Sequence, residues 1–250
     1  MLVHLAPALR SFACATVALA SLSCASKPPS GGAGTYRGII VGISQIGILE
    51  VAVAEASSGP LPASGTIALG STEVSLSGTL DRSSASLSLS STDGYQLAGV
   101  SRPAYVFGSY AHSAQDSGSF ALFLDSASSD PISLFCGSFV DTSSTATVPS
   151  TPFPFGVTVT HSGAAICVTP GFSWFGSMDA NETLVCQSGG GLFSGNVNAD
   201  GGNNWGTGVD SQGNGDYGTW TLAPCAGSAA TDGGVDAGAT DDGAADGATD

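Results

Sequence analysis

Alternation of apolar and polar residues with a period of two is the feature that most constrains the fold of this chain. In Glu73–Asp81 the odd positions are polar, and the even positions 74, 76 and 80 are apolar. Ser84–Ser90 repeats the pattern, with Ala or Leu on one face and four serines on the other. Such a period is typical of β-strands with one buried and one solvated face, which belong to antiparallel sheets.

Turn sequences separate these runs. Asp93-Gly94, Asp200-Gly201 and Asn214-Gly215 suit tight hairpins, and similar signals recur at intervals of about ten residues. The chain has 36 glycines among 250 residues and no long helix-forming stretch. The sequence therefore predicts an all-β fold of antiparallel meander sheets.

The two halves of the chain resemble each other, which predicts an internal duplication. The matching segments are 36–38 with 135–137, 76–81 with 174–179, and 118–122 with 218–222. The copies run over 36–125 and 134–225, each with room for roughly six to eight short strands. Two similar units of this kind would form small β-barrels or pack together as a β-sandwich.

The first 23 residues resemble a bacterial secretion signal. Arg10 precedes an apolar run, Phe12–Leu22, that is too short to span a bilayer. Ser21-Leu22-Ser23-Cys24 resembles a lipobox, although its Ser and Leu stand in the opposite order to the usual one, and Ala18-Leu19-Ala20 competes as an ordinary signal-peptidase site. The resemblance implies a lipoprotein acylated at Cys24 and held at the outer membrane or cell surface, with a secreted or periplasmic protein as the alternative.

Cysteine parity bears on this choice. Once Cys14 leaves with the signal, five cysteines remain, and lipidation of Cys24, or a cut after Ala25, removes the odd one. The other four lie in the second unit at positions 136, 167, 186 and 225. First and last strands of a closed meander are neighbours, which favours Cys136–Cys225 and leaves Cys167–Cys186, although four cysteines allow three connectivities. The unit without cysteines is expected to unfold more readily.

Both flanks of the paired units differ from them in composition. Residues 24–35 comprise the lipidated cysteine and a Ser, Pro and Gly stretch that predicts a flexible tether. Residues 226–250 hold six aspartates and no aromatic residue. Such a segment cannot bury enough apolar surface to offset its chain entropy, so a disordered acidic spacer is predicted.

Charge excludes several classes of partner. Five Lys and Arg residues against 20 Asp and Glu cannot neutralise enough phosphates for nucleic-acid binding, nor provide a polybasic membrane patch. Membrane association is therefore expected through the lipid anchor only, and the oligomeric state is not constrained. Ile39–Val53 is apolar enough to face lipid in places, but the serine-covered faces elsewhere argue against a membrane-spanning barrel.

No catalytic constellation is found in the sequence. Gly171–Phe175 begins a G-x-S-x-G elbow but lacks its closing glycine, and Lys27 is the single lysine of the mature chain. His112 and His161 occupy non-equivalent positions of the two units and are interpreted as strand-end residues. We expect a protein that is not an enzyme and has no cofactor.

Two weaker candidate sites depend on loops and aromatic residues. Asp210, Gln212, Asn214 and Asp216 are spaced like the first calcium ligands of an EF-hand, but Thr221 stands where the bidentate Glu should be, and hairpin turns favour the same residues. Phe172, Trp174 and Phe175 could offer a ligand-binding surface, whereas Trp205 and Trp220 are in phase with core positions.

These observations favour a non-enzymatic cell-envelope lipoprotein that serves as a structural or adhesive surface module. One alternative is a binding module for a glycan or a small apolar ligand, because small barrels often hold one ligand. Another is an inhibitor of an envelope hydrolase, carried on a disulfide-bonded barrel.

Overall fold

The computed structural model describes residues 31–114, 116–125, 131–141, 152–188, 191–197, 204–210 and 216–226, without the side chains of 141, 188, 191, 204–210, 216 and 217. Within these ranges the chain forms sixteen antiparallel strands and no helix, which confirms the all-β fold class. Accordingly, the described residues include no helix that could cross a membrane.

The first eight strands form barrel 1. They are β1 (Gly34–Gly42), β2 (Ile46–Val53), β3 (Leu61–Leu69), β4 (Thr72–Asp81), β5 (Ser86–Ser90), β6 (Gln96–Ser101), β7 (Tyr105–Ala111) and β8 (Ser117–Leu124). Each strand pairs with the next along the chain, and β1 closes the ring by pairing with β8.

The remaining strands form barrel 2 with the same up-and-down order. They are β9 (Ile132–Asp141), β10 (Phe153–Thr160), β11 (Ala164–Thr169), β12 (Phe172–Met178), β13 (Thr183–Ser188), β14 (Gly191–Asn196), β15 (Asn204–Asp210) and β16 (Asp216–Pro224). Since β16 pairs with β9, this sheet also closes on itself. The chain thus adopts the barrel form of the fold rather than the sandwich.

Strand alternation fills the interior of barrel 1. In β5, Leu87 and Leu89 point inward and are buried, while the three serines between and beside them are exposed. Tyr36, Leu49 and Phe120 join the same core. An eight-stranded barrel is just wide enough for side chains to fill it, and the interior of barrel 1 is filled by its own side chains.

Glycines stand at matching places in the two barrels. A Cβ atom on Gly38 of β1 would meet the carbonyl oxygen of Ala121 on β8, and one on Gly137 of β9 would meet that of Thr221 on β16. Only glycine allows the neighbouring backbone to come this close. The three pairs of segments that suggested a duplication fall on the first, fourth and eighth strands of their barrels, with Asp179 just past the end of β12.

The barrels pack side by side through outward-facing apolar residues. Ile39 and Val41 of β1 and Phe123 of β8 are buried against Ile166 and Val168 of β11. β1 is therefore apolar on both faces, one toward its own interior and one toward barrel 2. The apolar character of Ile39–Val53 in the sequence has its physical reason in this contact.

The two disulfides of the described residues both lie in barrel 2. Cys136 pairs with Cys225 across a Cα–Cα distance of 4.9 Å, and Cys167 pairs with Cys186 across 6.1 Å. This is the connectivity that the closed-meander argument favoured. The first bridge joins the first strand to the residue after the last, and the second connects β11 to β13 inside the core.

The beginning of the described chain is fixed to one end of barrel 1, which we call the entry end. The backbone N–H of Gly31 donates to Ser101 Oγ at 2.9 Å, and the Tyr36 hydroxyl donates to the Gly32 carbonyl at 2.9 Å. A Cβ on Gly31 would have no room beside these two partners. The last residues of the expected tether 24–35 are thus attached to the barrel.

Candidate functional site

A groove runs along the junction of the two barrels. The outer face of β6, β7 and β8 forms one side, and the turn from β11 to β12 forms the other. Its volume is about 500 Å³. The residues that line it are Ala98, Gly99, Val100, Phe107, Gly108, Ser109, Ser119, Gly171, Phe172 and Ser173.

The floor of this groove is low because its residues are small. Ala98, Ser109 and Ser119 are paired side by side across β6, β7 and β8 and face outward. The paired Gly99 and Gly108 alternate with them along the strands and face the barrel interior. Because these outward-facing side chains are short, a ligand can approach the main chain closely. A flat molecular face could therefore lie against the strands.

Aromatic and aliphatic side chains form the walls. Phe172 is 67% exposed, and Val100 and Phe175 are each 38% exposed. Phe175 bridges the barrels, since its ring centroid lies 5.1 Å from that of Phe107 and 5.3 Å from that of Tyr105. Three of the five exposed large apolar side chains in the described part of the chain thus meet at one junction.

The three aromatic candidates from the sequence are distributed over two places. Phe172 lines the groove, and Phe175 packs against barrel 1 next to it. Trp174 packs against the core of barrel 2, with its ring centroid 4.7 Å from that of Phe193, and it also lies 5.8 Å from the ring centroid of Phe172. Adjacent residues of a strand face opposite sides of the sheet, so Trp174 and Phe175 cannot share a surface.

The groove is uncharged. Its lining combines apolar side chains with the hydroxyls of Ser109, Ser119 and Ser173, and it includes no acidic or basic residue. The arrangement can therefore bind a neutral molecule, but the lining offers neither a nucleophile with a base nor a set of metal ligands.

A cluster of polar side chains occupies the opposite end of barrel 1, which we call the far end. Asp116 accepts hydrogen bonds from the Tyr110 hydroxyl at 2.9 Å and from the Gln45 amide at 2.9 Å, and its Oδ2 lies 3.0 Å from His112 Nδ1. Burial opposes ionisation of Asp116, but these hydrogen bonds outweigh it and hold the pKa of the carboxyl below its usual range. Burial, and then Asp116 itself, raise the pKa of Tyr110.

His112 is fully engaged in this cluster. Its Nε2 lies 3.0 Å from the carbonyl oxygen of Asp93, and its ring stacks on Tyr95 with centroids 4.0 Å apart. Because each ring nitrogen faces an oxygen atom, the ring connects the β5–β6 and β7–β8 loops. The cluster fastens together the loops β1–β2, β5–β6 and β7–β8. Sequence reasoning missed it, and the one available signal was the four-residue spacing of His112 and Asp116.

The other candidate residues lie elsewhere. His161 is exposed in the turn after β10. Asp210 ends β15 and Asp216 begins β16, but Asn214 and the side chains of both aspartates lie outside the description. The described residues contain no cluster of metal-binding side chains. Trp220 is 1% exposed and belongs to the core of barrel 2, as predicted, whereas the Trp205 side chain and Cys24 are not described.

Comparison with known proteins adds no relative to this picture. No protein-family model, no curated protein and no solved structure matches the chain.

Proposed function

We propose that this chain is an exported, lipid-anchored and non-enzymatic surface module of the bacterial cell envelope. The observation that carries the proposal is the pair of disulfides in barrel 2. Disulfides form and persist in oxidising compartments, and the lipobox-like residues before Cys24 supply a route to such a compartment.

The attachment of Gly31 limits how such a module would stand on a membrane. Seven peptide units separate Cys24 from Gly31 (31 − 24 = 7), which reach at most about 24 Å when fully extended. The entry end of barrel 1 would then face the lipid surface. A nine-residue strand tilted by about 40° rises roughly 23 Å, so the far end, with its cluster around Asp116, would face outward.

Mass spectrometry of the mature N-terminus tests the anchor. The expected product of the membrane fraction lacks residues 1–23 and carries a diacylglyceryl group on Cys24, and the Cys24→Ser variant should leave that fraction. Globomycin should cause the precursor to accumulate. An unmodified N-terminus at Ser21 or Ser26 would refute the lipoprotein proposal and leave plain secretion.

The non-enzymatic part of the proposal is supported by the engagement of His112 and Asp116 in holding loops together. A panel of esterase, protease and glycosidase substrates should show no turnover above that of buffer. Turnover that disappears in His112→Ala, while the variant remains folded, would instead assign the far end as an active site.

A second candidate function is ligand binding, and the groove between the barrels favours it. Exposed apolar patches bordered by polar residues mark interaction sites more often than ordinary surface. The groove combines such a patch with small-residue flooring, on the outside of barrels whose interiors hold their own side chains.

A further inference from the structure

We infer that the groove binds a neutral oligosaccharide, with one sugar ring stacked on Phe172 and its hydroxyl edge turned toward Ser109 and Ser173. The inference deepens the second candidate function, and it does not depend on the lipid anchor.

Charge is the first reason for this ligand class. The chain has a formal net charge of −15, so an anionic ligand would be repelled over much of its approach. A cationic ligand would find no carboxylate among the residues that line the groove. A second copy of the chain carries the same negative charge and is disfavoured for the same reason. The complementary ligand is neutral.

The mixture of surfaces is the second reason. Phe107, Phe172 and Val100 present apolar surface, while serine hydroxyls come from β7, β8 and the start of β12. A sugar ring has an apolar C–H face and a rim of hydroxyls, so it can satisfy both kinds of surface at once. A purely apolar ligand would instead cover serine hydroxyls without offering them hydrogen bonds, which costs binding free energy.

Shape is the third reason. The volume of about 500 Å³ lies within the range of roughly 300–1,000 Å³ that small-ligand sites occupy. Gly171 has a φ of 98° and turns the chain so that Phe172 follows it at the groove. The ring of Phe172 and the low floor at Ala98, Ser109 and Ser119 thus border the same space, which suits a flat ring.

The test uses the mature chain with Cys24→Ser, which removes the lipid but no residue of the groove. Calorimetric titration with neutral gluco-, xylo- and N-acetylglucosamine oligosaccharides of five or six units should find at least one ligand with millimolar or tighter affinity. Phe172→Ser should weaken that affinity about fivefold to tenfold, which corresponds to about 1–1.4 kcal/mol of lost ring stacking. The matched control is Ile43→Ser, which removes a 56% exposed apolar side chain of the β1–β2 loop that does not line the groove.

Several outcomes would overturn the inference. These are no binding by the whole series at millimolar concentration, equal binding by wild type and Phe172→Ser, or an equal loss in Ile43→Ser. Binding of an apolar dye that Phe172→Ser abolishes, with no sugar bound, would assign the groove to an apolar ligand. A dimer dispersed by Phe172→Ser would assign it to a second copy. Circular dichroism of each variant verifies folding. Failure of the lipid-anchor proposal would change only the mass of the mature N-terminus and not the sugar titrations, so the two failures can be distinguished.

Discussion

Replacing Asp116 by Asn should destabilise barrel 1 selectively. The carboxylate accepts hydrogen bonds from Tyr110 and Gln45 and faces His112, and its side chain is only 19% exposed. An asparagine keeps one acceptor oxygen, but its NH2 group takes the place of Oδ2, which accepts a hydrogen bond from the Gln45 amide. Two donors would then face each other. The loops at the far end lose part of their fastening, and the buried Tyr110 hydroxyl loses a charged partner.

The size of the effect follows from the number of hydrogen bonds lost. A hydrogen bond to a charged group contributes about 1.5–3 kcal/mol, and water can replace part of it at a partly exposed site. We expect Asp116→Asn to lower the free energy of unfolding by about 2–4 kcal/mol. Glu73→Gln is the control, because Glu73 is exposed at the same end and the change removes the same charge.

The aromatic residues allow each barrel to be followed separately during urea denaturation. All three tryptophans belong to 174–220, in barrel 2, and four of the five tyrosines belong to 36–110, in barrel 1. Tyrosine absorbance and fluorescence should therefore shift to lower urea in Asp116→Asn, whereas the tryptophan transition should move less. A shift below 1 kcal/mol, or an equal one in Glu73→Gln, would refute the role given to the cluster.

The lowered pKa of Asp116 fixes the sign of the pH dependence. A carboxyl whose pKa is lower in the folded state stabilises the protein above its unfolded value of about 3.9, and that stabilisation is lost as pH falls through the folded value. Wild type and Asp116→Asn should therefore differ most above pH 5 and converge in strong acid. A difference that stays constant down to pH 2 would contradict the ionic origin of the effect.

Three further predictions concern the barrels and their contact. Removing the long bridge with Cys136→Ala and Cys225→Ala should cost about 4–5 kcal/mol by loop entropy over 89 residues, read from tryptophan fluorescence in urea, and an unchanged midpoint would contradict it. Gly38→Ala should cost about 3 kcal/mol or prevent folding, because its Cβ meets a backbone carbonyl, while Gly32→Ala meets nothing within 4 Å and should behave as wild type. Phe175→Ser removes ring contacts with barrel 1 and should move the tyrosine and tryptophan transitions in urea further apart, and an unchanged separation would contradict a coupling role for this ring.

Short-range patterns predicted much of this fold. The alternation in Ser84–Ser90 appears as the buried and exposed faces of β5. The bridge between Cys136 and Cys225 followed from one topological idea, that the first and last strands of a closed meander are neighbours. Both inferences depend on residues that are close along one strand or on strands that must meet.

The candidate site was predicted less completely. Phe172, Trp174 and Phe175 were grouped because they are close in sequence, but the pleat turns Trp174 inward and Phe175 toward barrel 1. Nothing in the sequence indicated that Val100 and Phe107 line a groove. A single apolar residue on an outer strand face is common on protein surfaces, and only the position of the second barrel distinguishes these two.

The sequence by itself determined the strand class, the turn at Asp93-Gly94 and the uncharged serine-rich faces, because these depend on the local period of two and on glycine turns. The turns predicted at Asp200-Gly201 and Asn214-Gly215 lie outside the described residues. Only the tertiary structure decided which outer faces meet, and therefore where the groove lies. Ile39 and Phe123 are buried by residues more than forty positions away in the chain, such as Ile166. No local period encodes that distance, because packing between closed barrels depends on the shape of both.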